Sequence, residues 1–206
     1  MGPEAELLAR CRQGDARAWD ELFERHYAAT GRFVFQLAHD LLREEVEDIC
    51  QEVFLAVIRN LELFHGECQF QTWLFRIAAN KTRDYNQHRR AAKRGGGQIP
   101  LSLHAEGAEG GLALDPPSPA PGPDLNLMTQ ENAALLHQAL EQLGQPCREL
   151  IELRYFGELS YEEIGKALGL NPKTVSSRLS KCLDRLEPIA RKLFSGQESP
   201  VFPSNF

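Results

Sequence analysis

The residues best suited to chemistry in this chain are cations set among short polar side chains. Between positions 173 and 185 stand Lys173, Thr174, Ser176, Ser177, Arg178, Lys181 and Arg185. Short hydroxyl side chains permit close approach to a polyanion, and the long cations reach phosphates or guanine edges. A second set runs Arg76, Asn80, Arg83, Gln87, Arg90, Arg94. Steps of alternately four and three residues place all six on one stripe of a helix. Phe64, Phe70 and Trp73 lie just before that stripe, in an expected loop around Gly66. Aromatic rings beside a cationic track suit single-stranded or flipped bases, which need a stacking surface and a path for the backbone. The same three rings suit a hydrophobic core equally well.

A polyanion-binding reading must face the total charge, which is −6. The charge is not spread evenly. Residues 1–70 sum to −7, 71–94 to +6, 95–172 to −8 and 173–206 to +3. Phosphate attraction is set by charge within a Debye length of about 8–10 Å, so local islands outweigh the total. Two basic islands imply two nucleic-acid contacts, and the acidic remainder implies a different partner with a basic surface.

Helices must position these residues. In residues 4–94, Trp19, Leu22, Phe23 and Tyr27 recur at helical spacing, as do Val46, Ile49, Val53 and Val57. On the helix carrying the second group, Asp48, Gln51, Glu52, Leu55 and Arg59 share the other face. A lone exposed leucine is ordinary. One ringed by Asp48, Gln51 and Glu52 also fits an apolar anchor with a polar rim in a protein interface. In the cationic stripe's helix, Leu74, Ile77, Ala78 and Tyr85 form the apolar side.

Residues 95–123 contain 7 Gly and 6 Pro. That density precludes a compact element and reads as a flexible linker, about 30 Å from end to end on average. Helical patterning resumes over 124–192, and 193–206 read as a loose tail. Ser160 with Glu163 is a capping box, Gly169 a helix stop, and Asn171-Pro172 the N-cap and first residue of a further helix. Val175, Leu179, Cys182 and Leu186 then form one apolar stripe, with the cations of 173–185 off it. Two helices joined by a short turn, the second basic on its outer face, make a helix-turn-helix. The expected fold is therefore all-α: two small helical domains, 1–94 and 124–192, on a long tether.

Other classes fit less well. No Walker loop, G-x-G-x-x-G or nucleophile–base constellation is present, so no catalytic residue is assigned and no cofactor is expected. His65 and Cys68 form one loose pair, where structural zinc wants four ligands, so no metal is expected. The five cysteines, Cys11, Cys50, Cys68, Cys147 and Cys182, are odd in number and scattered, which reads as no disulfide framework and suits a reducing cytoplasm. No apolar run is long enough to span a membrane, and the N-terminus lacks an apolar signal core. An ordinary helix-turn-helix regulator would need a dimerisation element after residue 192 and leaves residues 44–94 without a task.

Taken in order, the blocks resemble the extracytoplasmic-function (group 4) sigma factors of bacterial RNA polymerase. "ELLARCRQGDARAWDELFERHY" is similar to the opening of region 2 of that family, "DICQEVFLAV" to its core-binding helix, and "FQTWLFRIAANKTRDYNQHRR" to its promoter-melting and −10-reading segment. "ALEQLGQPCRELIELRYFGELSYEEIGKALGLNPKTVSSRLSKCLDRL" resembles region 4, which reads the −35 element. The resemblance implies that Asp48, Gln51, Glu52 and Leu55 meet the clamp helices of the polymerase β′ subunit. It implies that Phe64, Phe70, Trp73, Arg76, Asn80, Arg83 and Arg90 hold −10 DNA. Lys173, Thr174, Ser176, Ser177, Arg178 and Lys181 would sit at the −35 groove. It also implies an anti-sigma partner. The chain departs from the common family pattern at Gly144, where proline is usual, and at Lys173 and Ser176, where glycine and arginine are common. These departures bear on the −35 preference and not on the fold.

Overall fold

The computed structural model describes residues 2–38, 40–95 and 123–195. The linker expected over 95–123 falls almost wholly outside them, as does most of the expected tail. Among the described residues there is no strand. The helices divide into two compact units, one of the described residues up to 66 with those of 73–95, the other of 67–72 with 123–195.

The first unit holds α1 (Pro3–Arg12), α2 (Ala16–Leu37), α3 (Arg43–Asn60), a 3₁₀ turn at Leu61–Leu63, and α4 (Phe70–Gly95) from Trp73 onward. Pro3 opens α1, where its missing N–H costs nothing. Asp15 caps α2 by accepting from the N–H groups of Arg17 and Ala18, and it pairs with Arg10 at 2.7 Å. The buried face of α2 comprises Ala18, Leu22, His26, Thr30, Phe33, Val34 and Leu37. Helix α3 buries Val46, Ile49, Val53 and Val57 as their spacing requires, together with Cys50 and Phe54. Phe23, Tyr27 and Phe54 form an aromatic cluster between α2 and α3, with centroids 4.6–6.2 Å apart. Phe33 stacks on Phe75 at 4.4 Å and ties α4 to α2. Polar ties complete the docking of α4: Tyr85 donates to Glu45 at 2.8 Å, and Arg89 pairs with Asp40 and Glu45.

In the second unit, α5 spans Pro123–Leu143, α6 Gln145–Ile151, α7 Tyr161–Leu168 and α8 Pro172–Phe194, with a π-helical turn at Glu152–Phe156. The punctuation is that of the sequence. The Ser160 hydroxyl accepts from the Glu163 N–H while the Glu163 carboxylate takes the Ser160 N–H, a reciprocal cap on α7. Gly169 adopts φ 65° at the end of α7, and Asn171 caps α8 by accepting from the Lys173 N–H at 2.9 Å. The turn wraps closely over Gly165: the Leu170 N–H donates to its carbonyl at 2.8 Å. Val175, Leu179, Cys182 and Leu186 are all buried.

Two expectations are corrected. Phe70 and Trp73 do not lie in a loop around Gly66; both belong to the first turn of α4. The cysteines do hold a disulfide, between Cys147 of α6 and Cys182 of α8, whose Cα atoms lie 5.3 Å apart. Sequence spacing hid it, since the partners are 35 residues apart and only the packing of α6 on α8 brings them together. The count is odd because Cys11, Cys50 and Cys68 form no disulfide.

Candidate functional site

On α3 the inward stripe leaves a second face in solvent. Asp48, Gln51, Glu52, Leu55 and Arg59 are all exposed. Leu55 has an apolar neighbour one turn-step away that spacing did not single out: Ile58 is 53% exposed against 42% for Leu55. Together they make an apolar centre with an acidic rim. Between this face and α4 lies a groove of about 460 Å³, lined in part by Asp48, Glu52, Leu55, Lys81 and Tyr85. Glu52 accepts from Lys81 across it at 3.1 Å. The Asp48 carboxyl is raised, first by partial burial and then by the charges of Glu44, Glu47 and Glu45. A cationic partner would relieve that repulsion.

The cationic stripe of α4 is present, with its members distinguished by exposure. Asn80, Gln87 and Arg90 are exposed, and Arg76 and Arg83 are half-buried. Arg83 donates to the Asn80 side-chain oxygen at 2.9 Å. Of the three aromatic candidates, Phe64 and Phe70 are buried, and only Trp73 is partly exposed. The Phe64 ring packs against Trp73 at 5.2 Å, so Phe64 supports Trp73 rather than offering its own face. A smaller cavity of about 300 Å³ opens beside Trp73, lined also by Asn60, Leu63, Ile77 and Asn80. It combines an indole, two amides, apolar walls and the charged side chains of Lys81 and Asp84. Leu63, at its edge, is 67% exposed and was not marked by the periodicity because it stands in a 3₁₀ turn. Arg12 fixes this corner from α1, donating to the carbonyl oxygens of Phe64 at 2.6 Å and Leu61 at 3.4 Å. Sequence alone offered no signal for that reach across 52 residues.

In the second unit, α8 buries its apolar stripe and turns Lys173, Ser176, Ser177, Arg178 and Lys181 to solvent, with Thr174 half-buried. The Ser177 hydroxyl donates to the Thr174 carbonyl at 3.1 Å, which keeps it flat against the helix. The face is smooth near its N-terminus, and Arg178 and Lys181 project one turn further on. Arg185 behaves differently from them. It donates to the Leu143 carbonyl at 3.4 Å and lies 3.7 Å from the Cys147 sulfur, binding α8 to the end of α5 and the start of α6.

Among the described residues no cluster of His, Cys, Asp and Glu comes together as metal ligands, and no helix is long and apolar enough to cross a membrane. The arrangement offers an acidic-rimmed apolar face, an aromatic–amide cavity beside cations, and a basic helix-turn-helix. These are surfaces for recognition.

Comparison with known proteins agrees. Residues 2–189 match the family described as ECF sigma factor. The RNA polymerase sigma-H factor of Pseudomonas aeruginosa is 30% identical over 190 residues, covering 92% of this chain and 95% of that protein. The ECF RNA polymerase sigma-E factor of Escherichia coli K12 is 30% identical over 192 residues, covering 90% and 95%. The solved structure of CnrH in complex with the cytosolic domain of CnrY shares the fold, with a TM-score of 0.53 at 24% identity, covering 90% of this chain and 96% of that one.

Proposed function

This chain belongs to the ECF sigma factor family, which directs RNA polymerase to promoters, and from that premise we propose how its residues divide the work. Residues 1–94 serve as region 2 and 124–192 as region 4, joined by 95–123. The protein works in the cytoplasm beside the polymerase. The α3 face of Asp48, Gln51, Glu52 and Leu55 docks on the β′ clamp helices. The Trp73–Asn80 cavity takes a flipped −10 base, with Phe64 packed against Trp73 and Phe70 buried at the start of α4. Arg76, Arg83 and Arg90 track the strand. On α8, Lys173, Thr174, Ser176, Ser177, Arg178 and Lys181 face the −35 groove.

The observation that carries this division is the separation of surfaces. An apolar face with an acidic rim belongs against protein, and the DNA-facing cations lie on other helices. An acidic protein then need not hold DNA tightly by itself, because polymerase presents its basic islands to one promoter. An anti-sigma protein that covers Leu55 and Ile58 would compete with polymerase for the same face.

Leu55→Asp tests the docking face, since a charge at an interface anchor costs about 2 kcal/mol or more. The variant should remain folded by circular dichroism and fail to co-elute with core polymerase. Co-elution at wild-type affinity would remove this face from the interface. Glu52→Lys is a less clean probe, because it also breaks the pair with Lys81.

A further inference from the structure

The Cys147–Cys182 bond ties the two flanks of the helix-turn-helix together. The closed ring runs through most of α6, the whole π turn, all of α7, the turn at Gly169 and the first half of α8. It therefore contains every residue proposed to face the −35 groove. Both half-cystines are buried in the helix packing, yet they help line an open cavity of about 430 Å³ along with Leu150, Arg178, Lys181 and Arg185. The bond is thus structural in its placing and reachable from solvent at its edge. The Arg185 guanidinium lies 3.7 Å from the Cys147 sulfur and is held there by its bond to the Leu143 carbonyl. A cation so placed favours thiolate at Cys147 when the bond is open. Two of the other three thiols are poorly placed for such chemistry. Cys50 is fully buried and pushed up to about 12, first by burial and then by Glu47. Cys11 is buried and raised for the same leading reason.

We propose that Cys147 and Cys182 form a reversible thiol–disulfide site that sets the competence of the helix-turn-helix for −35 DNA. The proposal rests on the reading of α8 as the −35 helix. In a reducing compartment, disulfides are usually transient and redox-sensing rather than permanent. The oxidant is a hydroperoxide. The Cys147 thiolate attacks its terminal oxygen, the O–O bond breaks, and the alcohol or water leaves with a proton, forming a sulfenic acid at Cys147. The Cys182 sulfur then attacks the Cys147 sulfur, the S–OH bond breaks, and water leaves. In sum, two thiols and one hydroperoxide give one disulfide, one alcohol (or water) and one water. The reductant is a dithiol, which is itself oxidised to a disulfide while both protein thiols are restored. With the bond closed, α6 and α8 are held in register and the reading face is preorganised. With it open, α8 loses its covalent anchor one turn beyond Arg178.

The test uses the full-length protein, oxidised with hydrogen peroxide or reduced with dithiothreitol, then freed of reagent before core polymerase is added. In denaturant, thiol titration should fall from five to three on oxidation, and a tryptic peptide linking Cys147 to Cys182 should appear. Transcription from a template with an intact −35 element should be about fivefold higher with oxidised than with reduced protein. On a scrambled −35 template the two should be equal. Cys147→Ala and Cys182→Ala should each stay at the reduced level whatever the treatment; the reduced wild-type protein gives the same comparison without a substitution. Absence of the linked peptide after peroxide would overturn the proposal. So would equal output from oxidised and reduced protein on a template where the −35 element still matters. If output is the same on intact and scrambled templates in both states, the −35 reading itself falls, and the proposal with it.

Discussion

Glu45 shows how one side chain can join two helices. Its carboxylate accepts from the Leu42 N–H at 2.7 Å, closing the start of α3, and from the Tyr85 hydroxyl of α4 at 2.8 Å. Burial alone would raise its pKa, but these bonds and the Arg89 charge hold it below the ordinary value. Tyr85 responds the other way, pushed up to about 12 by burial first and then by its bond to Glu45. Because the folded pKa of Glu45 is depressed, its stabilisation is complete above the unfolded value and is lost as pH falls through the folded one. Glu45→Gln should lower stability by about 1 kcal/mol at neutral pH. That deficit should shrink toward zero as the buffer is taken below the ordinary carboxylate range, followed by thermal melts across pH; a deficit constant with pH would show that the charge is not the cause. At the same scale, Asn80 and Arg83 should separate in function although they are bonded to each other. Asn80→Ala should weaken base preference at the −10 element, and Arg83→Ala should weaken open-complex formation about equally for all sequences. Permanganate reactivity of the melted strand on promoters with altered −10 bases measures both.

At the scale of the element, the helix-turn-helix depends on an absent side chain. A Cβ at Gly165 would stand 2.6 Å from the Leu170 carbonyl oxygen, which is backbone and cannot swing away. The turn closes over α7 only because nothing projects there. Gly165→Ala should cost about 1–3 kcal/mol through forced backbone shifts. Its signature should be selective: loss of −35-dependent transcription and a lower melting temperature, with core polymerase binding retained. Gly169 has open space around its Cβ position but φ 65°, so its need is for the left-handed conformation rather than for room.

For the whole molecule, the charge distribution sets the salt response. Contacts from the basic islands to phosphate release counterions, so their contribution falls steeply with salt, by a log–log slope of about −0.9 per contact. The apolar centre at Leu55 and Ile58 is far less sensitive. Raising potassium chloride should therefore erode −35-dependent output before it releases the protein from polymerase. If Arg178 holds a phosphate, Arg178→Ala should reduce the salt slope of promoter binding by about one; if it reads a guanine, the slope should hold and base preference should relax. A fragment of residues 1–94 should still bind core polymerase, and one of 124–206 should bind promoter DNA weakly alone. Gel filtration with core enzyme and mobility shifts at graded salt test the pair.

Local signals carried much of this architecture because they act within one or two helical turns. The capping box at Ser160 and Glu163, the stop at Gly169, the cap at Asn171, and the inward stripes of α3 and α8 all follow from residue type and spacing, without reference to distant chain. The exposure of Asp48, Gln51, Glu52 and Leu55 follows as well, since burying one stripe turns the opposite one outward. Tertiary structure decided what depends on residues far apart in the chain. It buried Phe64 and Phe70 and left Trp73 to line a cavity, a distinction that three aromatics within ten positions of sequence cannot make. It brought Arg12 to the carbonyl of Phe64 and Tyr85 to Glu45. It also paired Cys147 with Cys182, which periodicity could mark only as one member of an apolar stripe and one unremarked thiol. Spacing along a helix records which way a side chain points, whereas its partner is chosen by how the helices pack.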